Sequence, residues 1–135
     1  MMRATIAAAL AVAPALASAQ QQSCPLILPE GAVVVARPPS GWSPGPKTQV
    51  HLSGAGMMSS PPEGMQYLVP RVDKKAKGGE RTTFEFQPND EKWLWCDYGP
   101  AAQIAKRIQG AWTKCELTTK RDRHRTFTEV KATCK

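Results

Sequence analysis

The stretch EKWLWCDYG, residues 91–99, decides the fold because its aromatic side chains surround a single cysteine in an alternating pattern. Successive side chains of a β-strand point to opposite faces. Leu94, Cys96 and Tyr98 therefore share one face, and the two tryptophans share the other. A cysteine that forms a disulfide points toward its partner and hence inward. We therefore predict a central strand whose core face carries Leu94, Cys96 and Tyr98.

The tryptophans of the opposite face, Trp93 and Trp95, allow two interpretations. Large aromatic side chains dominate small cores, and a helix predicted at Ala101–Gln109 would cover them. The apolar residues of that segment recur at helical spacing. Alternatively, two tryptophans two residues apart form a face that stacks a sugar or anchors a protein. We expect burial, and we keep both residues as candidate partner-binding positions.

Four cysteines follow the N-terminal segment: Cys24, Cys96, Cys115 and Cys134. An even number of cysteines in an exported chain predicts two disulfides. If the chain folds back about residues 105–106, Cys96 faces Cys115. A final hairpin folded about Asp122 would set Cys115 opposite Glu129 and leave Cys134 without a local partner. We therefore predict the pairs Cys96–Cys115 and Cys24–Cys134.

The N-terminal residues MMRATIAAALAVAPALASAQ have the pattern of a secretory signal peptide. Arg3 precedes the apolar run Ala4–Leu16, and Ala17-Ser18-Ala19 is a small-residue cleavage site. The apolar run has 13 residues, whereas a membrane-spanning helix needs about 20. We predict cleavage after Ala19 and a periplasmic protein with no membrane span, in which residues 20–135 form a single β-rich domain.

Short β-strands separated by proline and glycine are the main pattern of the remaining chain. About seven strands are predicted, at residues 31–37, 48–53, 65–72, 81–87, 93–98, 111–119 and 125–134. Residues 54–64 are predicted as a loop, residues 73–80 as a charged hairpin turn, and residues 20–23 as a polar tail. The fold class is therefore mainly β, a small antiparallel sandwich or rolled sheet with one short helix and two disulfides.

Basic residues concentrate in two runs, residues 71–81 and 120–125, in a chain with a formal net charge of +7. One interpretation is a pair of solvated hairpin tips. The functional interpretation is a patch for an acidic protein or for an anionic envelope glycan or lipid. Its candidate residues are Lys120, Arg121, Arg123 and Arg125. Nucleic acid is disfavoured as a partner because of export, although such residues contact phosphates readily.

The residues that carry chemistry form no pattern typical of an active site. A nucleophilic Cys96 needs a neighbouring base, and neither His51 nor His124 can be placed beside it from the sequence. The candidate carboxylates near the central strand, Asp90, Glu91 and Asp97, cluster at a turn and a strand end, which is ordinary for solvated charges. The sequence has no Cys-x-x-Cys pair of the kind found in many zinc sites. We predict no catalytic residue, no metal and no cofactor, and hence a protein that is not an enzyme.

Motifs along the chain resemble an uncharacterised family of small exported proteins of Gram-negative bacteria, known only by an enterobacterial locus tag. In order they are Cys24-Pro25, Gly41-Trp42, PPEGMQYLVP (residues 61–70), WLWCDYG (residues 93–99) and two later single cysteines. The resemblance implies a periplasmic location and no established enzymatic activity. We expect a periplasmic interaction protein, such as an inhibitor or immunity protein against an envelope-acting enzyme. The alternative is a binder of anionic envelope glycan or lipid head groups through the basic hairpin tips.

Overall fold

The computed structural model describes residues 19–100 and 102–135, and these form antiparallel β-sheets. The strands are β1 (Gln20–Ser23), β2 (Ile27–Leu28), β3 (Val50–His51), β4 (Gly54–Met58), β5 (Val72–Ala76), β6 (Gly79–Glu85), β7 (Trp93–Asp97), β8 (Gln103–Arg107), β9 (Lys114–Arg121) and β10 (Phe127–Cys134), with a 3₁₀ turn at Pro62–Gly64. The prediction of a mainly β, antiparallel fold with two disulfides is confirmed. The predicted signal peptide, apart from Ala19, lies outside the described residues. Within them, no helix is long and apolar enough to cross a membrane.

The largest sheet has five strands in the order β1-β10-β9-β6-β5. The alternation predicted for residues 81–87 is confirmed, because Thr82, Phe84 and Phe86 are only 8%, 3% and 5% exposed. The predicted hairpin turn is also present, although it is shorter than residues 73–80, because β5 and β6 leave only Lys77 and Gly78 between them. Gly78 has a φ of +77°, a conformation that glycine adopts without steric cost.

The second sheet has three strands in the order β4-β7-β8, and β2 pairs with β3 separately. Its central strand β7 contains the predicted core face. Leu94, Cys96 and Tyr98 are 1%, 4% and 2% exposed, which confirms that prediction. These side chains join the inner face of the five-stranded sheet, including Phe84 and Leu117, in one hydrophobic cluster. The core therefore lies between the two larger sheets.

The disulfides join Cys24 to Cys96 and Cys115 to Cys134. All four cysteines are paired, but the predicted pairs Cys96–Cys115 and Cys24–Cys134 are wrong. In the last hairpin, the residue opposite Cys115 is Cys134 and not Glu129. The Cα atoms of Cys115 and Cys134 are 4.1 Å apart. Strand β7 belongs to the other sheet, so its cysteine reaches the N-terminal segment instead.

The position of the β9–β10 turn explains this error. Next to the turn, Phe127 pairs with Arg121, which places the centre of the turn at His124 and not at Asp122. The Asp122 carboxylate instead caps the turn, accepting the backbone N–H groups of His124 and Thr126 at 2.8 and 3.0 Å. A shift of the turn centre by two positions moves the register by four, and the β-bulge between Phe127 and Glu129 moves it by one more, so that Cys134 stands opposite Cys115.

The helix predicted at Ala101–Gln109 is wrong, because Gln103–Arg107 form strand β8. This strand pairs along its whole length with Trp93–Asp97 of β7. Two helical turns are marginal without tertiary support, whereas β8 gains a hydrogen-bonded ladder to a central strand. Tertiary pairing thus overrides the helical spacing of the apolar residues. Ala101 itself lies outside the described residues.

Two segments predicted as irregular are strands. Residues 54–64, predicted as a loop, begin with β4, in which Met57 and Met58 are both fully buried. Residues 20–23, predicted as a polar tail, form β1 and pair with β10 at the edge of the five-stranded sheet. In both cases the backbone ladder decides the conformation, although the side chains have little intrinsic strand preference.

Two predicted strands are largely absent. Residues 31–37 have irregular backbone, and Val34 and Val35 are 56% and 57% exposed. Prolines flank this valine run, and the segment has no neighbouring strand with which to pair. Residues 65–72 form only an isolated bridge, between Tyr67 and Met58, before β5 begins at Val72.

Candidate functional site

The outer face of the three-stranded sheet, turned away from the core, carries three clustered aromatic side chains. We call Trp93, Trp95 and Tyr67 the aromatic platform. Trp95 and Tyr67 meet edge to face, with ring centroids 5.6 Å apart and an interplanar angle of 87°. This arrangement suits the aromatic quadrupoles and stabilises the pair beyond simple burial.

Glycine at position 56 allows the Trp95 ring to lie flat across strand β4. Gly56 stands directly opposite Trp95 in the ladder. A Cβ atom at this position would lie 2.5 Å from Trp95 Cζ2 and 2.7 Å from Cε2, which is closer than two carbons approach. Gly54, two residues earlier on the same face, has only ordinary contacts at 3.6 Å or more. Gly56 therefore determines where the indole ring lies.

Tyr67 reaches the platform because its segment adds to the free edge of β4. The Ser59 N–H donates to the Gln66 carbonyl at 3.0 Å, and the Leu68 N–H donates to the Met57 carbonyl at 2.9 Å. Tyr67 lies opposite Met58 in this short pairing, so alternation places its ring on the outer face.

The same alternation exposes the apolar neighbours of Tyr67. Met65 is 69% exposed and Val69 is 86% exposed. Met58, which lies between Tyr67 and Trp93 in the pairing, is fully buried. An aromatic surface that is packed around a buried methionine and continued by exposed apolar side chains is what a protein partner can cover.

Polar groups around the platform hold one another in place, except that the buried Trp95 Nε1 has no hydrogen-bond partner among the described residues. Trp93 Nε1 donates to Glu91 Oε2 at 2.7 Å, and Glu91 Oε1 lies 3.3 Å from Arg107 Nη2. On the other side, Tyr67 Oη donates to Gln103 Oε1 at 3.0 Å, and Gln103 Nε2 donates to Asp97 Oδ1 at 2.8 Å. The tryptophans and tyrosine of the platform, and Arg107 beside it, are of the residue types that dominate binding energy in protein interfaces, and polar groups form a rim around them.

The structure corrects the expectation that Trp93 and Trp95 are buried beneath a helix. Both are of intermediate exposure, and the segment that was predicted as helical lies beside them as strand β8. The two residues therefore remain on a surface, as the alternative interpretation required.

The two basic runs predicted from the sequence meet at one end of the five-stranded sheet. Gly79, at the start of β6, pairs with Lys120 near the end of β9. The Arg121 N–H donates to the Gly78 carbonyl at 3.2 Å across the two turns. We call residues 73–80 and 120–125 together the cationic end; they contain seven Lys or Arg side chains and three carboxylates.

Two of the predicted basic residues have structural contacts. Lys120 Nζ lies 3.1 Å from Glu129 Oε1. The hydrogen bond from Lys120, its charge and that of Lys131 lower the pKa of the Glu129 carboxyl. The Arg121 guanidinium stacks 3.6 Å from the centre of the buried Phe127 ring, a cation–π contact. These two side chains therefore support the sheet as well as contributing positive charge.

The other two, Arg123 and Arg125, are exposed and form no ion pair with a carboxylate of the described residues. Arg123 Nε donates to the neighbouring His124 ring at 3.0 Å. The structure brings the four predicted basic residues together at one end. It places them on a different sheet from Trp93 and Trp95.

A third surface was missed by the sequence reasoning. The irregular segment between β2 and β3 exposes apolar side chains, with Trp42 at 74% and Val35 at 57%. Residues 33–35 and 44–47 line a shallow cavity of about 320 Å³ within it. The prolines that bracket the valine run were the available signal, because they disfavour pairing in a sheet.

The residues that the sequence offered as candidate catalytic groups have structural roles. Cys96 is held in a disulfide and is therefore not a nucleophile. Asp90 Oδ2 accepts the Gln87 N–H at 2.8 Å, which closes a turn, while Glu91 and Asp97 belong to the rim of the platform. Among residues 19–100 and 102–135, no group of three or more His, Cys, Asp or Glu side chains is arranged to hold a metal ion.

Residues 46–135 match the family model of the type VI secretion system Tli immunity protein. The chain belongs to this family. No curated protein and no solved structure matches the chain. The Tli family confirms the prediction of an immunity or inhibitor protein, whose partner is a protein effector, and corrects the expectation of an uncharacterised family. The matched region contains the aromatic platform and the cationic end, whereas the apolar segment before residue 46 lies outside it.

Proposed function

We propose that this Tli family member is a periplasmic immunity protein that acts without catalysis, by binding a type VI effector and blocking it in the cell envelope. The match of residues 46–135 to the immunity family is the observation that carries this proposal. Tli immunity proteins are periplasmic in general, and two disulfides suit an oxidising compartment. The cell that exports the chain is protected because the effector meets its inhibitor where it is delivered.

Export of the mature chain is supported by the position of strand β1. The predicted cleavage site follows Ala19, and β1 begins at Gln20. Cleavage there would leave the whole strand free to pair with β10, from Gln20 opposite Cys134 to Ser23 opposite Lys131. We propose that the signal peptide is removed at this point without loss of any part of the described sheet.

The aromatic platform is the surface that we propose for the effector. A binding surface gains most from rigid aromatic side chains that lose little conformational entropy on association. Trp95 is held between Gly56 and Tyr67, and Trp93 is fixed by its hydrogen bond to Glu91. The platform is therefore organised before the partner arrives, so association costs less ordering.

Protection by stoichiometric binding, and not by enzymatic inactivation of the effector, is supported by the match to a family of immunity proteins. The cysteines are paired, and the carboxylates around the central strand hold local structure. The residues that distinguish this chain chemically are aromatic and cationic side chains on surfaces, and these recognise partners.

A competition experiment tests the immunity function. A strain that lacks this chain is mixed with its parent, which has an active type VI secretion system. We expect the deletion strain to be killed by that parent and to survive beside a parent whose secretion system is inactive. Plasmid-borne chain with its signal peptide should restore survival, whereas chain without residues 1–19 should not. Equal survival of the deletion strain beside both parents would contradict the proposal.

A further inference from the structure

We propose that the cationic end docks this protein on a bilayer surface that carries anionic phospholipid head groups. This goes beyond the proposed immunity function, because it concerns a different surface and a different partner.

The fold collects the charge by placing two turns side by side. The β5–β6 turn and the β9–β10 turn lie at the same end of the sheet because β6 and β9 are antiparallel neighbours, with Gly79 opposite Lys120. Lys74, Lys75 and Lys77 come from the first hairpin, and all three are exposed. Several cations can therefore approach one plane simultaneously, which neither hairpin would achieve alone.

Two of the three carboxylates at this end are engaged by local hydrogen bonds and not by its lysines and arginines, and the third, Glu80, is exposed opposite Lys75. Asp73 Oδ1 accepts the Thr82 hydroxyl at 2.7 Å, and Asp122 Oδ1 accepts two turn amides at 2.8 and 3.0 Å. Elsewhere on the sheet, arginines are paired, as with Arg81 and Glu116 at 3.3 Å. Lys74, Lys75, Lys77, Arg121, Arg123 and Arg125 form no salt bridge within the part of the chain that the structure describes.

A lipid surface fits the cationic end better than a protein partner does. Protein interfaces concentrate binding energy in buried aromatic anchors, and the large exposed apolar residues of the described chain all lie outside residues 73–80 and 120–125. Phe127, the nearest aromatic ring, is buried beneath Arg121. An anionic membrane needs no such anchor, because clustered Lys and Arg side chains near its surface each add attraction.

The cationic end and the aromatic platform belong to different sheets, and they adjoin at one cavity of about 320 Å³ that Trp95 and Arg121 both line. The platform lies on the outer face of the three-stranded sheet, and the cationic end is the tip of the other sheet. Docking through the tips of the two turns would hold the protein at a membrane surface through residues other than those of the platform. Failure of this inference would leave the immunity function untouched.

Cosedimentation with vesicles tests the inference. The full mature chain is mixed with vesicles of phosphatidylglycerol and phosphatidylcholine in equal parts, or of phosphatidylcholine alone. We expect binding to the anionic vesicles only, weakening as salt rises, since exposed charges are screened. The variant Lys74→Gln, Lys75→Gln, Lys77→Gln, Arg123→Gln should bind roughly tenfold or more weakly.

A matched variant distinguishes an effect of the cationic end from an effect of the net charge of the protein. Arg37→Gln, Lys106→Gln, Lys114→Gln, Lys135→Gln removes the same four charges from exposed positions outside the cationic end, and it should bind as the wild type does. Both variants should keep wild-type thermal unfolding, because none of the eight side chains forms a salt bridge among the described residues. Equal losses in the two variants, or no wild-type binding at low salt, would overturn the inference. A third result would also overturn it: the wild type binds no vesicles, and the first variant loses effector binding. That result would assign the cationic end to an acidic protein.

Discussion

The two main sheets of this protein contribute equally buried inner faces to one core, but their outer surfaces differ completely. The three-stranded sheet presents clustered aromatic rings, of which Tyr67 and Trp93 are fixed by hydrogen bonds. The five-stranded sheet presents threonines and ion pairs such as Arg81–Glu116, and it ends in exposed cations. A charged outer face needs no partner. An aromatic outer face keeps apolar surface in contact with water, and a partner can cover it. We therefore assign the effector to the three-stranded sheet.

The comparison shows that burial alone does not identify the binding surface. Trp93 and Trp95 are half-buried in the free protein, yet they lie on the side opposite the core. Their ordering comes from neighbours on the same outer face, namely Gly56, Tyr67 and Glu91. Changes at these neighbours should therefore disturb the platform while leaving the five-stranded sheet intact.

The largest difference between the two regions should appear when the disulfides are removed separately. Cys24–Cys96 ties the N-terminal segment to the three-stranded sheet across 72 residues, and Cys115–Cys134 joins neighbouring strands across 19 residues. In the chain-entropy model the first contributes about 4 kcal/mol and the second about 3 kcal/mol. Urea unfolding of the double variants Cys24→Ala, Cys96→Ala and Cys115→Ala, Cys134→Ala measures both losses.

The order of these losses is the informative result. A larger loss for Cys115–Cys134 would show that packing lost around these fully buried cysteines, or residual structure in the unfolded chain, outweighs loop closure. Peptide mapping of the oxidised wild type provides the control, since it should yield Cys24 linked to Cys96. A peptide linking Cys96 to Cys115 would contradict the fold itself.

A methyl group added beneath the platform should destabilise the protein by about 1–3 kcal/mol, the usual cost of overpacking. In Gly56→Ala the new Cβ would lie 2.5 Å from Trp95 Cζ2, so the indole ring must move. Gly54→Ala is the matched control on the same strand and face, where the nearest atoms lie at 3.6 Å. Thermal unfolding followed by tryptophan fluorescence should separate the two, and equal stability of both variants would refute the described position of Trp95.

A smaller effect is expected on the five-stranded sheet, at Glu129. Lys120 and Lys131 lower the pKa of this carboxyl below its ordinary value of 4.5 in the folded protein. Its contribution to stability is therefore present above that value and disappears as the pH falls through the lowered folded pKa. Glu129→Gln should reduce stability at neutral pH and approach the wild type in acid, as measured by urea unfolding at a series of pH values.

Glu30→Gln, at an exposed position of the irregular segment, serves as the control for general charge effects. Its unfolding curve should follow the wild type across the same pH range. Parallel stability curves for wild type and Glu129→Gln would contradict the ion pair with Lys120.

Local alternation predicted the parts of the fold in which one strand face meets the core. Residues 81–87 and 93–98 follow this rule because their apolar side chains repeat with the period of a strand. The immunity function was reached from compartment, size and disulfides, and the family match confirms it. The partner-binding residues Trp93 and Trp95 are on a surface, and their role stays a prediction.

Features that depend on distant pairing could not be predicted in the same way. Strand β4 begins Gly-Ala-Gly, a composition typical of loops, and it is a strand because glycine fits beneath the Trp95 ring. The predicted disulfide pairs depended on the position of the β9–β10 turn. The Asp122 carboxylate caps this turn, so the centre lies beyond Asp122 and not at it. Tyr67 joined the platform through an isolated bridge to Met58 that no sequence pattern indicated.

Effector binding by platform variants tests the central claim most directly. Wild-type protein, the double variant Trp93→Ala, Tyr67→Ala and the single variant Trp42→Ala are titrated with the type VI effector that the chain neutralises. Trp42, which is 74% exposed on the irregular segment, controls for loss of an exposed tryptophan elsewhere. We predict that the platform variant, still folded by circular dichroism and still oxidised, binds roughly thirtyfold or more weakly, while Trp42→Ala binds as the wild type does. Unchanged affinity of the platform variant would contradict the assignment of the effector to the three-stranded sheet.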